Sequence, residues 1–173
     1  MNVLERFKKI STFIFDVDGV MTDGTIGIVP GLEYTRTMHT KDGYVLQLAV
    51  KKGYKIAVIT GGLSTPVVER MNSLGILDVF QAVKNKMDVY NKYITDNNLA
   101  ADEILYMGDD IPDYNVMQSV GLACCPADAV QEIKSISHYI SPVSGGKGCV
   151  REVMEKVLKL HGHWEIDTVI KSI

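Results

Sequence analysis

The chain has 173 residues, a hydrophobic fraction of 46% and a formal net charge of −3. This length is enough for one well-buried domain but short for two ordinary ones. The acidic balance argues against a nucleic-acid-binding protein, which would show a basic excess. No apolar run approaches the roughly 18 residues of a membrane-spanning helix, and the first residues mix charges instead of forming an apolar signal segment. We therefore expect a cytoplasmic globular protein with neither nucleic acid nor membrane as a partner.

Strand-like apolar runs alternate along the chain with stretches of helical spacing. The predicted strands are 12–16, 54–60, 76–80, 103–107, 121–125 and 138–140, and the predicted helices are 42–53, 64–75, 86–97, 112–120, 127–135 and 148–161. A loosely alternating segment around Pro30-Gly31 predicts a β-hairpin in an insert of about residues 24–39. The pattern predicts an α/β fold, a parallel sheet with helices on both faces. We expect a single domain over residues 1–173, with a C-terminal tail at about 161–173.

The first predicted strand ends in two carboxylates, Asp16 and Asp18. Residues i and i+2 of a strand point to the same side, so these carboxylates should lie close together where the strand opens into a loop. They repel each other, and a divalent cation is the usual way to hold such a pair. Asp16 could be a nucleophile that attacks phosphorus, and Asp18 the acid and base that serves the leaving alkoxide and the attacking water. The alternative is a carboxylate that caps a loop.

Two further polar groups suit phosphate chemistry. The Thr60 hydroxyl and the Gly61 amide follow the second long strand and could donate to a phosphoryl oxygen. Lys86 precedes a predicted helix and is the best candidate for the fixed cation that phosphoryl transfer requires, with Lys84 as the alternative. The structural alternatives are a hydroxyl at a strand end and a solvated loop lysine.

A second acidic cluster follows the fourth predicted strand, with three aspartates within five residues. We expect Asp109 to bind a metal directly, together with Asp16 and Asp18. Asp113 would bind through water or orient another ligand, and Asp110 could be a ligand or an orienting acid. Oxygen ligands and a phosphate favour Mg²⁺. The alternative is an acidic helix N-terminus favoured by the macrodipole.

The polar groups follow three different strands. In open parallel sheets, ligands bind at the carboxyl ends of the strands, near a switch in strand order. The first acidic pair, the threonine-glycine turn and the second acidic cluster all occupy such positions. The sequence therefore predicts one active site at this edge of the sheet.

In this order, the residues resemble the haloacid dehalogenase superfamily of phosphohydrolases. Its four motifs match Asp16-Val17-Asp18, Thr60, Lys86 and Gly108-Asp109-Asp110-Ile111-Pro112-Asp113. A closer resemblance, to the 3-deoxy-D-manno-octulosonate 8-phosphate phosphatases, covers almost the whole chain. It rests on segments that include Phe15-Asp-Val-Asp-Gly-Val-Met-Thr-Asp-Gly24, Lys41-Asp-Gly43, Val58-Ile-Thr-Gly61, Met107-Gly-Asp-Asp110 and Gly145-Gly-Lys-Gly148.

The resemblance implies a Rossmann-like core without a large cap domain. It further implies Mg²⁺-dependent hydrolysis of 3-deoxy-D-manno-octulosonate 8-phosphate through an aspartyl-phosphate, in lipopolysaccharide precursor biosynthesis. The family assembles as a homotetramer through the hairpin, so that a neighbouring subunit covers each active site. Arg70 is a candidate for binding the substrate carboxylate, and the alternative is a solvated helix arginine.

Two other functions remain open from the sequence. One is a phosphatase of a nine-carbon 2-keto-3-deoxy sugar acid 9-phosphate, of the KDN or N-acylneuraminate type. The other is a non-catalytic assembly or regulatory module that keeps the fold. The presence of Asp16, Lys86 and Asp109 argues against the second, because degenerate members of the superfamily usually lose the nucleophile.

Overall fold

The computed structural model describes residues 2–171, so Met1 and the last two residues of the predicted tail, Ser172 and Ile173, lie outside the described residues. The strands are β1 (Thr12–Phe15), β2 (Lys55–Ile59), β3 (Asp78–Phe80), β4 (Ile104–Met107), β5 (Leu122–Cys125) and β6 (Tyr139–Ile140). The α-helices are α1 (Val3–Phe7), α2 (Thr40–Lys51), α3 (Thr65–Ser73), α4 (Lys86–Asp96), α5 (Tyr114–Met117), α6 (Gln131–Ile136) and α7 (Cys149–Leu160). Within residues 2–171, no helix has both the length and the apolar character needed to cross a membrane.

The strands form one parallel sheet in the order β3-β2-β1-β4-β5-β6. Side chains of β1 alternate between its two faces: Phe13 and Phe15 join one core cluster, and Ile14 joins the other. Helices α1, α2, α3 and α7 contribute to the first cluster, and α4, α5 and α6 to the second. Because helices bury both faces, the central strands carry apolar side chains on both sides of the sheet. The predicted α/β fold with a covered parallel sheet is confirmed.

The strand order switches between β1 and β4. Strands β2 and β3 extend the sheet on one side of β1, whereas β4, β5 and β6 extend it on the other. The carboxyl ends of β1, β2 and β4 lead directly into Asp16, Thr60 and Gly108, respectively. These three strands are neighbours, so their following loops meet at the switch point, where ligands bind in folds of this type.

The insert of about residues 24–39 contains little regular structure. A single antiparallel bridge joins Gly27 to Thr35 through two hydrogen bonds of 3.0 Å. Isolated two-stranded ribbons are marginal, which explains why the ladder is short. Apolar side chains of the insert are exposed: Ile26, Ile28, Val29, Leu32 and Tyr34. The division of the chain into one domain, an insert and a tail stays a prediction.

Helix α2 begins at Thr40, earlier than the predicted start at residue 42, and its N-cap is His39. His39 Nδ1 accepts a hydrogen bond from the Lys41 backbone N–H at 3.2 Å. The Asp42 carboxylate instead accepts from the Arg151 backbone N–H at 2.8 Å. It thus caps the first turn of α7 and joins the two helices that cover the same face of the sheet.

The described part of the tail runs back along α2 of the same chain. The Trp164 ring packs edge-on against Tyr44 with 6.1 Å between ring centroids. The Tyr44 hydroxyl donates to the Glu165 carbonyl at 3.1 Å and accepts from the Asp167 N–H at 3.0 Å. Backbone groups of the tail are therefore paired with a helix side chain.

Candidate active site

A buried lysine lies between two of the predicted site carboxylates. Lys86 opens α4, and its Nζ lies 2.9 Å from Asp16 Oδ2 and 2.7 Å from Asp113 Oδ1. Only 5% of the Lys86 side chain is exposed. The other Asp16 oxygen, Oδ1, accepts from the Val17 N–H at 2.7 Å. The alternative cation, Lys84, is exposed and makes no ion pair within the described part of the chain. The geometry therefore favours Lys86 as the fixed cation.

Three aspartates converge beside this lysine. One carboxylate oxygen from each of Asp16, Asp109 and Asp113 lies within 4.8 Å of the other two. Asp109 Oδ1 is buried and has no hydrogen-bond partner within residues 2–171. Gly19 lets the Asp109 carboxylate come this close to the turn after β1, since a Cβ at position 19 would lie 2.0 Å from Asp109 Oδ2. Converging carboxylate oxygens with one left unpaired fit a hard divalent cation such as Mg²⁺.

The electrostatics of the cluster agree with a cation site. Burial raises the pKa of Asp16 to about 7; repulsion from Asp113 adds to this shift, and Lys86 opposes it. Burial also raises the pKa of Asp109 to about 7, with repulsion from Asp16 and Asp113 as the next causes. One ammonium group therefore does not offset the three carboxylates. A divalent cation would favour their ionised forms.

Asp18 lies outside this group of converging oxygens and is held by an arginine of the insert. Asp18 Oδ1 accepts from Arg36 Nε at 2.6 Å, and Oδ2 accepts from Arg36 Nη2 at 3.0 Å. Arg36 does not stand out in the sequence, because one basic residue in a loosely alternating segment does not indicate its partner. A metal contact by Asp18 stays a prediction.

The threonine-glycine turn is held in place by the loop that follows β3. Thr60 is buried, and its hydroxyl oxygen accepts from the Gly62 N–H at 3.1 Å. Ala82 N–H donates to the Gly62 carbonyl at 2.9 Å, and Val83 N–H donates to the Thr60 carbonyl at 3.1 Å. A cavity of about 340 Å³ lies beside this turn, and its lining includes Asp16, Asp18, Thr60, Gly61, Lys86 and Asp110.

Asp113 is fully buried and contacts three site or core groups. Its Oδ1 accepts from Lys86 Nζ at 2.7 Å and from the Tyr106 hydroxyl at 2.6 Å. Its Oδ2 accepts from the Asp109 backbone N–H at 3.2 Å. These bonds orient the lysine and the loop that carries Asp109.

The two remaining predicted residues lie at the rim. Asp110 lines the cavity beside Asp16 and Lys86, and its Oδ1 accepts from the Ile111 N–H at 2.8 Å, which caps a short 3₁₀ turn. Arg70, on α3, does not line this cavity. It lines a cavity of about 310 Å³ together with Arg36, and this cavity adjoins the first one through the bonds between Arg36 and Asp18. The structure thus brings Asp110 to the cavity beside Asp16 and places Arg70 in the adjoining cavity.

A glycine-rich loop supports the turn that follows Asp16. The Gly146 N–H donates to the Val20 carbonyl at 2.9 Å. A Cβ at Gly145 would lie 1.9 Å from the Gly19 carbonyl oxygen, so only glycine permits this backbone contact. Gly145 N–H also donates to Asp128 Oδ1 at 2.9 Å. The loop at residues 145–148 therefore fixes the position of the turn through contacts with its backbone carbonyls.

Comparison with known proteins agrees with this geometry. The family model for haloacid dehalogenase-like hydrolases matches residues 36–127, just over half of the chain. The 3-deoxy-D-manno-octulosonate 8-phosphate phosphatase of Yersinia pestis is 33% identical over 157 residues, which are 91% of this chain and 84% of the relative. The enzyme of the same name from Escherichia coli K12 is 32% identical over 161 residues, which are 93% and 86% of the two chains.

Solved structures show the same relationship. The crystal structure of the Yersinia pestis phosphatase matches with a TM-score of 0.90 and 32% identity, covering 93% of this chain and 87% of the other. The Moraxella catarrhalis phosphatase, solved in complex with magnesium, phosphate and KDO, matches with a TM-score of 0.88 and 30% identity, covering 91% of each chain. The chain therefore belongs to the haloacid dehalogenase-like hydrolases, and within them to the family of 3-deoxy-D-manno-octulosonate 8-phosphate phosphatases.

Proposed function

We propose that this protein is a Mg²⁺-dependent phosphatase that hydrolyses 3-deoxy-D-manno-octulosonate 8-phosphate to the free sugar acid and phosphate, in lipopolysaccharide precursor biosynthesis. The observation that carries the proposal is the buried Lys86 ammonium between Asp16 and Asp113, beside the Asp109 carboxylate. The similarity to curated phosphatases of this substrate extends over 91% of the chain. The Moraxella catarrhalis relative holds magnesium together with phosphate and KDO, the two products of this reaction.

In the first step, the Asp16 carboxylate attacks phosphorus in line with the sugar oxygen. The bond between phosphorus and the sugar oxygen breaks, and an aspartyl-phosphate forms. Asp18 donates a proton to the leaving alkoxide. Lys86, at 2.9 Å from Asp16, fixes the nucleophile and offers positive charge to the phosphoryl oxygens. The Thr60 hydroxyl and the Gly61 N–H bind the same oxygens.

In the second step, water attacks the phosphorus atom of the aspartyl-phosphate. Asp18, now ionised, accepts a proton from this water, the bond between phosphorus and Asp16 breaks, and phosphate is released. The same carboxylate acts first as an acid and then as a base, so its orientation matters in both steps. The Arg36 guanidinium binds both Asp18 oxygens and thereby orients the ionised carboxylate that acts as the base in this step.

Asp16 and Asp109 would hold Mg²⁺, with Asp113 close enough to join them or to orient them. We propose Asp18 as a further ligand, although its two carboxylate oxygens lie on Arg36 and outside the converging group. When bound, Mg²⁺ supplies positive charge that lowers the repulsion between the phosphate and the carboxylates. Asp110 lines the cavity and would act as an orienting acid. We propose Arg70, in the adjoining cavity, as a contact to the substrate carboxylate.

The function is tested by measuring phosphate release from the eight-carbon 8-phosphate and from a nine-carbon sugar acid 9-phosphate. We expect a higher kcat/KM for the eight-carbon substrate, and a loss of at least about 10³-fold in kcat for Asp16→Asn. The exposed Lys92→Gln, on α4, is the control variant. A preference for the nine-carbon substrate would move the assignment to that group, and failure to hydrolyse either would refute the proposal.

We further propose that the chain forms a cytoplasmic homotetramer through the insert. The exposed apolar side chains of the insert, among them Ile28 and Leu32, support an association between copies. Sedimentation velocity of the native chain and of Ile28→Glu tests this. We expect a tetramer that dissociates in the variant, and a monomeric native chain at micromolar concentration would contradict it.

A further inference from the structure

The insert is anchored to the body of the protein near the catalytic cavity. Glu33 Oε2 accepts from the Thr65 backbone N–H at 2.8 Å, and Glu33 Oε1 accepts from the Thr65 hydroxyl at 2.8 Å. Glu33 thereby caps α3, which receives no such bond from the side chain of its own N-cap, Ser64. Arg36 follows three residues later, so these contacts position it over Asp18.

The Arg36 guanidinium has donors left over in this position. Nε and Nη2 donate to the two oxygens of Asp18, and Nη1 donates to the Tyr34 carbonyl at 3.3 Å. A guanidinium carries five N–H donors. One N–H on each terminal nitrogen therefore has no partner within residues 2–171. Arg36 can hold Asp18 and still bind a second anionic group.

The adjoining cavity has the size and chemistry for the sugar end of a substrate. Its volume is about 310 Å³, and its lining includes Arg36, Arg70, Tyr34, Met38, Pro66 and Val67. Glu33 also lines it, but its two oxygens are bonded to Thr65. Apolar walls with a few convergent polar groups are typical of small-molecule sites. The cations of this cavity thus face an otherwise largely apolar space.

A sugar acid phosphate carries negative charge at both ends, a phosphate at one and a carboxylate at the other. Lys86 is committed to Asp16 and Asp113 and serves the phosphate end. The carboxylate needs a cation other than Lys86, and Arg36 lines the same cavity as Arg70, the contact proposed above. A planar guanidinium forms paired hydrogen bonds with a carboxylate, so Arg36 can bind this group beside Arg70.

We propose that Arg36 is a specificity-determining residue that binds the carboxylate of the sugar acid while the phosphate lies against Asp16. This inference rests on the proposed function and extends it. Because Arg36 also holds Asp18, the residue links recognition of the far end of the substrate to the placement of the acid that serves its leaving oxygen. A phosphate ester without a carboxylate lacks this contact.

A substitution at Gly62 perturbs the contact between Arg36 and Asp18 without changing either residue. A Cβ at this position would lie 2.8 Å from Arg36 Nη2 and 3.1 Å from Asp18 Oδ2. Gly62→Ala therefore displaces the paired Arg36 and Asp18 side chains without removing the charge of either residue. The variant separates the position of Arg36 from the net charge of the protein.

The test compares kcat/KM for 3-deoxy-D-manno-octulosonate 8-phosphate with kcat/KM for p-nitrophenyl phosphate. We expect Arg36→Gln to lower the ratio of the two by about 10- to 100-fold, mainly through a higher KM for the sugar acid substrate. The ratio for Arg36→Lys should lie between those of the native protein and Arg36→Gln, since an ammonium keeps the charge but cannot form the paired bonds. Gly62→Ala should lower the ratio in the same direction, and Lys92→Gln, with the same charge change as Arg36→Gln, should not.

A second readout uses inhibition of p-nitrophenyl phosphate turnover. The inhibition constant of the free sugar acid should rise about 10-fold or more in Arg36→Gln, with a smaller change for inorganic phosphate. Equal losses for both substrates, with unchanged selectivity between the two inhibitors, would overturn the proposal. If Arg36→Gln does not fold, Gly62→Ala decides by the same criteria. If the native protein hydrolyses only the aryl ester, the proposed function fails, while selective loss of sugar acid inhibition still supports Arg36.

Discussion

The Nζ atom of Lys86 lies 2.9 Å from Oδ2 of Asp16, although 70 positions separate the two residues in the chain. The lysine opens α4, and the aspartate follows β1, so the contact joins a helix start to a central strand end. Both side chains are buried. The cost of removing their charges from water is offset only if further groups hydrogen-bond to the pair. Asp113 does so from the loop after β4.

Removing this lysine should damage both activity and stability. Lys86→Met leaves buried carboxylates without their cation, so we expect kcat to fall by at least about 10²-fold. The free energy of unfolding should fall by about 3 kcal/mol in the metal-free protein. Steady-state kinetics and urea denaturation measure the two effects, with Lys92→Gln as the control. Near-native kcat in Lys86→Met would show that the lysine is not the phosphate-site cation.

The close packing of Gly19 against Asp109 predicts a specific effect on metal affinity. In Gly19→Ala, the new Cβ would displace the Asp109 carboxylate, and the φ of +88° adds backbone strain. We expect the Mg²⁺ concentration for half-maximal activity to rise by about 10-fold or more. Gly53→Ala is a matched control, because Gly53 has a φ of +85° but open space around its Cβ. It should lose about 1 kcal/mol of stability without a change in Mg²⁺ dependence.

The pH dependence of the metal-free protein follows from the raised pKa values of Asp16 and Asp109. Each carboxyl has a pKa of about 7 in the folded protein against an ordinary value of 3.8, so the folded state binds protons more tightly. Stability of the metal-free protein should therefore fall as the pH rises from about 4 to 7. Mg²⁺ binds the ionised forms, so its addition should raise the melting temperature more at pH 8 than at pH 5.5.

Calorimetric scans with EDTA and with Mg²⁺ at both pH values measure this dependence. Asp16→Asn should reduce the pH dependence of the metal-free protein. An equal rise in melting temperature with Mg²⁺ at both pH values would contradict this prediction. The ion would then bind somewhere other than the aspartate cluster.

Backbone strain next to the site gives a stabilising prediction. Ala82 has a φ of +54°, a left-handed conformation that costs a non-glycine residue roughly 1 kcal/mol. Ala82→Gly should relieve the strain and raise the free energy of unfolding by about 0.5 kcal/mol, because the added flexibility of glycine offsets part of the gain. Chemical denaturation of Ala82→Gly measures this effect. Ala100→Gly, at a φ of −86°, is the control and should lower stability; a loss in both variants would contradict the strain argument.

Much of the fold could be predicted because buried strands and helix faces require apolar residues at regular spacings in the sequence. Strand β1 is apolar on both faces, since both are covered by helices, and Asp16 stands where that burial ends. Element ends were less predictable. Asp42 has the chemistry of an N-cap, yet its carboxylate bonds to α7, and His39 caps α2.

The candidate site divides in the same way. Asp16, Thr60 and Asp109 each follow a strand of a parallel sheet, so their position at one edge of the sheet could be predicted. That the three strands are neighbours is seen only in the structure. The pairing of Arg36 with Asp18 could not, because Arg36 lies in an irregular insert held by contacts between Glu33 and the start of α3.

The amino-acid sequence by itself determined the fold class, the edge of the sheet that carries the chemistry and the aspartates that reach it. These follow from periodicity and strand ends, which are local properties of the chain. The tertiary structure alone decided that Asp113 joins Asp16 and Asp109, and that Asp18 is held by Arg36. Those pairings depend on the turns after β1 and β4 and on a glycine at position 19, where a missing side chain lets two loops meet.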